Sequence, residues 1–222
     1  MQKLFNADIL DIFTIPTGFI YACKEVSGDN DVAAFFEYST ARDEFRRITV
    51  RDYITAKYGE NGFAFAKQLG DFVTCNIHVI NDDTNIAAYD NGTIKVFNNE
   101  GIISKTVKVA YNGKPAVSPE PNGRDLWMVV PEANAVINYS LKYDRIEFRI
   151  GSNKEKTFSH PTGLSIYDNC LYVCNASSFK IRIVGLETFN IQDYRIFNEP
   201  VYKYIRTKNT EYVMLESGFY TL

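Results

Sequence analysis

Short apolar runs separated by turn residues pattern this chain, and the runs recur. Ile86-Ala87-Ala88-Tyr89, Leu126-Trp127-Met128-Val129, Leu171-Tyr172-Val173-Cys174 and Tyr212-Val213-Met214-Leu215 begin 40, 45 and 41 residues apart. A run of four apolar residues bounded by turn formers reads as a strand covered on both faces. In three units a proline, Pro115, Pro161 or Pro200, stands 10 to 12 residues ahead of the run. Proline lacks an N–H and suits the entry to a strand. Between proline and run lie a first strand, such as Gly163-Leu164-Ser165-Ile166 or Val201-Tyr202-Lys203-Tyr204-Ile205, and turn residues such as Asp168-Asn169. After the run come tight-turn signals, Asp90-Asn91-Gly92 and Glu216-Ser217-Gly218. Alternating stretches follow, including Thr93-Ile94-Lys95-Val96-Phe97 and Phe179-Lys180-Ile181-Arg182-Ile183, and then a last strand.

Four strands repeated every 40 to 45 residues make the blades of a β-propeller. The pattern predicts an all-β chain of five four-stranded blades, at 7–50, 71–110, 111–151, 157–198 and 199–222, with 1–5 joining the last. That last unit holds only three strands, and Gln2-Lys3-Leu4-Phe5 supplies the missing outer one, because an unclosed edge is a template for aggregation. Residues 51–70 exceed the period and read as an insertion on one rim. Tyr53, Ile54 and Tyr58 there fall on one face of a short helix, and Gly59-Glu60-Asn61-Gly62 forms a turn. Counting the insertion as a degenerate unit gives a six-bladed alternative.

His160-Pro161-Thr162-Gly163-Leu164, then Leu171-Tyr172-Val173-Cys174-Asn175, then Ile181-Arg182-Ile183 resembles a blade of NHL-type propellers. The resemblance covers the fourth unit, about 40 residues, and the other units depart from it. It implies architecture and no activity, since propellers host many functions.

Composition narrows the field. Tyr and Phe number 15 and 16, which favours strands. No apolar run approaches the roughly 18 residues of a membrane span, and the opening residues lack the apolar stretch of a secretion signal. A cytoplasmic protein without membrane partners is the expectation. A net charge of −3 without a basic face argues against nucleic acid. Arg42, Arg46, Arg47 and Arg51 read as protection of an edge strand rather than a phosphate site. Cys23, Cys75, Cys170 and Cys174 include no CxxC pair and read as buried thiols of a reducing compartment, so no metal site and no cofactor is expected.

Candidate chemistry follows from the ring. The residues just after the second strand of each blade, Lys24, Asp90, Glu132, Asn175 and Glu216, come to one axial face, and His160 sits at a blade entry. They are the ligand-binding candidates; their structural alternative is turn chemistry, which accounts fully for Asp90-Asn91-Gly92. His78 and His160 are more readily structural than ligands or bases. Tyr53, Tyr58, Phe63, Phe65, Tyr202 and Tyr204 are contact or packing aromatics. Serine-nucleophile, P-loop and dinucleotide motifs are absent. The preferred function is therefore a non-enzymatic scaffold that recognises a protein, peptide or carbohydrate on the axial face. The alternatives are a glycoside hydrolase or lyase using Asp90, Glu132 and Glu216, and an intracellular ligand sensor.

Overall fold

A computed structural model describes residues 1–5, 9–27, 30–60, 62–68, 75–208 and 210–222. It is a five-bladed β-propeller. Blade 1 pairs Ile9–Ile15, Gly18–Ser27, Asn30–Ser39 and Glu44–Ile48, from the axis outward. Blade 2 pairs Cys75–Asn81, Thr84–Tyr89, Thr93–Phe97 and Ile103–Lys108. Blade 3 pairs Val117–Asn122, Asp125–Val130, Ala135–Ser140 and Arg145–Ile150, and blade 4 pairs Pro161–Tyr167, Cys170–Asn175, Lys180–Gly185 and Ile191–Ile196. Blade 5 takes Val201–Arg206, Glu211–Leu215 and Gly218–Thr221 from the end of the chain and Gln2–Phe5 from its beginning. Gln2 lies opposite Thr221 and Phe5 opposite Phe219.

The apolar runs are explained by where each blade sits. A strand alternates its side chains between two faces, and a blade packs a neighbour on each. In blade 3, Leu126 and Met128 join a cluster with Ile86 and Ile94 of blade 2, whereas Trp127 and Val129 join Leu171 and Val173 of blade 4. Tyr172 and Cys174 then turn to Val201, Tyr204 and Val213 of blade 5. Phe19 and Tyr21 of blade 1 meet Tyr212 and Phe219 of blade 5. Each second strand is thus buried on both sides, and alternation disappears from its sequence. Blades 4 and 5 come close enough that a Cβ on Gly163 would lie 2.4 Å from the Tyr202 carbonyl oxygen.

The insertion holds two helices, α1 (Val50–Tyr58) and α2 (Gly62–Gln68). Thr49 caps α1 by accepting from the Asp52 N–H, and Asp52 accepts in return from the Thr49 N–H, a reciprocal box that turns strand into helix at once. The sequence pattern extends the outer strand of blade 1 to Val50; the cap ends it at Ile48. Tyr53 and Ile54 of α1 and Phe65 and Ala66 of α2 pack between blades 1 and 2, against Ile20, Phe35, Ile77 and Phe97. Expected elements at Asp8, in the Gly59–Gly62 turn at Asn61, and at 69–74 fall on residues outside those described. A two-stranded hairpin, Ala110–Tyr111 with Lys114–Pro115, precedes blade 3. Among the described residues no helix is long and apolar enough to cross a membrane.

Candidate functional site

The five inner strands run side by side around the axis, and a cavity of about 440 Å³ opens at the rim where they begin. Its polar wall is Asp11 from blade 1, Asn76 and His78 from blade 2, Ser118 and Glu120 from blade 3, Thr162 from blade 4 and Lys203 from blade 5. Leu10, Pro119, Leu164, Met214 and Leu215 supply the apolar part.

A shared local irregularity aims these residues. In four blades the first strand slips register against the second near its start, between Ile9 and Asp11, Val117 and Glu120, Pro161 and Gly163, and Val201 and Lys203. A β-bulge of this kind bends the strand and redirects a side chain. The residue that follows each slip, Asp11, Glu120, Gly163 or Lys203, lines the cavity. In blade 3 the extra backbone is taken up at Ser118, with φ of 50°. Blade 2 has no slip at this end and offers Asn76 and His78 instead.

Asp11 is the electrostatic hub. Its Oδ2 accepts from Lys57 Nζ at 2.6 Å and from the Tyr53 hydroxyl, both on α1, and its Oδ1 faces Lys203 Nζ at 3.4 Å. Burial alone would raise its pKa, but Lys57 and Lys203, with the hydrogen bonds from Lys57 and Tyr53, more than offset that and hold it far below the ordinary carboxylate range. Lys203 Nζ also donates to the Ile12 carbonyl at 3.2 Å. Burial, with Lys57 and Lys203 nearby, pushes His78 down to about 3 against the pull of Asp11, so its imidazole is neutral at pH 7. Glu120 is the opposite case. Burial pushes its carboxyl up to about 7, while Lys203 and the Ile166 amide oppose the shift only in part. Two carboxyl groups of one cavity therefore hold protons very differently. Among the described residues no cluster of three or more His, Cys, Asp and Glu is arranged to hold a metal ion.

The candidates read from the sequence fall on the same rim, one step out from the axis. A second strand runs antiparallel to the first, so its end lies beside the first strand's beginning. Glu216 does line the cavity. Lys24 is exposed but lies within the second strand of blade 1, which runs on to Ser27, rather than after it; Asp90 is exposed just past its strand, within the turn closed by the Gly92 N–H on the Tyr89 carbonyl. Glu132 pairs with Lys114 at 2.5 Å and lies near His160, whose own N–H donates to Asn134 Oδ1. Asn175 is buried, and its amide is engaged by the Ser159 N–H and the Val173 carbonyl, which ties the blade 4 entry to its second strand. Asp11, Glu120 and Lys203 escaped the sequence reading. Their signal was a charged residue near the start of a first strand, visible only once the first strands are taken as the wall of the axis.

The architecture has solved counterparts. Saccharomyces cerevisiae Sqt1 aligns with a TM-score of 0.60 over 96% of this chain and 71% of its own, at 12% identity. The computationally designed Ika4 protein aligns at 0.50 over 64% of this chain and 86% of its own, at 12% identity. The RRP9 WD40 repeats align at 0.50 over 66% of this chain and 49% of their own, at 9% identity. At such identities the likeness is one of fold alone. No protein-family model matches the sequence, and no curated protein sequence does.

Proposed function

We propose that the protein is a non-enzymatic binding scaffold whose axial face recognises a protein, peptide or carbohydrate. The observation that supports this is the cavity at the beginning of the five inner strands, whose volume is that of a ligand pocket and whose wall mixes apolar residues with a few charged ones. Glu216 lines this cavity, and we infer that Lys24, Asp90, Glu132 and His160 form the outer polar collar of the same binding face. The NHL-like pattern of the fourth unit agrees with a scaffold and carries no activity.

The hydrolase alternative draws on one observation: Asp11 and Glu120 are pushed in opposite directions, as an acid and a base must be. Asp11 is nevertheless a poor base, because Lys57, Tyr53 and Lys203 occupy its oxygens. The test is thermal unfolding in the presence of peptides and oligosaccharides. A ligand at one hundred times its Kd stabilises by about 2.7 kcal/mol, a rise of roughly 5–11 °C for a chain of this size. A rise that is lost in Glu216→Ala supports the proposal. Turnover of chromogenic glycosides that is abolished by Glu120→Gln overturns it.

A further inference from the structure

Glu120 and Lys203 present opposite charges to one cavity, and each retains hydrogen-bonding capacity. Lys203 has three N–H donors, of which Asp11 and Ile12 take two at 3.4 and 3.2 Å. Glu120 takes part in no ion pair among the described residues, although Lys203 is close enough to influence it. Asp11, Lys57 and Lys203 together carry one positive charge, His78 is neutral, and an ionised Glu120 brings the group to neutrality. Among the described residues Glu120 has no cation in contact, and Lys203 has no acceptor for its third N–H. Leu10, Leu164 and Met214 line the same space.

We propose that this cavity captures the N-terminal residue of a peptide, with its α-ammonium on Glu120, its first carbonyl oxygen on Lys203 and its side chain against Leu10, Leu164 and Met214. The inference rests on the scaffold reading above and names the part of the partner that enters. An α-ammonium group lies two bonds from the carbonyl carbon, so a single residue offers one group to each anchor. The opening at the rim lets the rest of the peptide leave past Glu216. A free amino acid carries the same ammonium and acceptor, and the experiment separates the two sources.

Titration adds a signature. The charged and titratable groups that line the cavity with Glu120 are Lys203, Asp11, His78, Tyr202 and Glu216. Binding an ammonium requires the ionised carboxylate, so affinity rises from pH 6 toward pH 7.5. It falls again as the peptide's own amine, with a pKa of about 7.7–8.0, loses its proton. A ligand held only as an anion by Lys203 would show affinity falling steadily as Glu120 ionises.

The experiment is fluorescence polarisation with tripeptide amides labelled at the C-terminal end, with apolar first residues and either a free or an acetylated N-terminus. Unlabelled amino acids serve as competitors. The expected result is binding of the free-amine peptides, a loss of at least tenfold on acetylation, a similar loss in Glu120→Gln and a smaller one in Lys203→Arg, each variant being checked for a native circular dichroism spectrum. Equal binding of acetylated peptides, or unchanged binding in Glu120→Gln, overturns the proposal. Amino acids that bind where no tripeptide does overturn the peptide end as the occupant. If no free-amine peptide binds while an acetylated peptide or an oligosaccharide stabilises the protein and loses that effect in Glu216→Ala, this inference falls and the scaffold reading stands. Silence from every probe removes both.

Discussion

Removing residues 1–5 takes the outer strand from blade 5 and leaves Gly218–Thr221 as an open edge. The loss can be worked from the contacts. Phe5 stacks on Tyr21 with ring centroids 4.4 Å apart and meets Phe45 and Phe219, each at 5.3 Å. Leu4 and Phe5 are both partly buried against the cluster between blades 1 and 5. Half of the roughly 1.5–3 kcal/mol for full burial of each side chain gives about 2 kcal/mol, and three ring pairs add roughly 0.5–1.5 kcal/mol each. Ladder hydrogen bonds contribute further, while ordering the strand opposes at about 1–2 kcal/mol per residue. The net is a loss of about 3 kcal/mol. At roughly 2–4 °C per kcal/mol for a chain of this length, the melting temperature falls by about 6–12 °C. Differential scanning calorimetry reads the shift, and size-exclusion chromatography reads association through the bared edge. Phe5→Ala removes the ring contacts but keeps the strand and its ordering cost, so its drop is expected to be at least as large as that of the truncation. A truncated protein that melts within about 2 °C of the parent, a shift worth under 1 kcal/mol, refutes the reasoning.

Two further outcomes follow from the inner strands. Glu120 is raised from 4.5 to about 7, so the folded protein holds a proton there that the unfolded chain gives up; its contribution is fully present below pH 4.5 and is lost as pH rises through 7. Glu120→Gln therefore gains stability relative to the parent between pH 5 and pH 8, by roughly 3 kcal/mol at the upper end, as read by urea denaturation at each pH; a constant difference across that range contradicts the burial account. Gly163→Ala drives a methyl group into the Tyr202 carbonyl oxygen, 2.4 Å away, and so separates blade 4 from blade 5. The expected cost is about 1–3 kcal/mol in chemical denaturation, and a neutral substitution would mean that the blades are not held that closely.

The architecture was legible because its cause is local and repeated. Each second strand, Leu126-Trp127-Met128-Val129 above all, is apolar without alternation since a neighbouring blade covers each face. The helix of the insertion was legible too, through Tyr53, Ile54 and Tyr58, but its start was not, because the strand pattern runs on to Val50 over the cap that Thr49 and Asp52 form. The candidate site was legible only in part. The ends of the second strands lie at the end of the ring where the cavity opens, and of the residues chosen there Glu216 lines it. Asp11, Glu120 and Lys203 reach it through slips in strand pairing, and a slip is a relation between two strands that neither spells out. The pairing of Asp11 with Lys57 and Lys203 joins positions 46 and 192 residues apart, which no local pattern encodes.

The strand at Gln2–Phe5 has a consequence for the order of events as the chain is made. Synthesis proceeds from the N-terminus at about 5–20 residues per second, and early segments begin to fold before late ones exist. Blades 1 to 4 can assemble in that sequence from neighbours already present. The strand Gln2–Phe5 cannot, because its partner, Gly218–Thr221, is made only after the four blades that lie between them in sequence. Leu4 and Phe5 must wait for it, so a strand made before blades 1 to 4 reaches its place after them. Contacts of such long sequence separation are the slow ones, so completing the circle is the step at which folding competes most directly with association between chains.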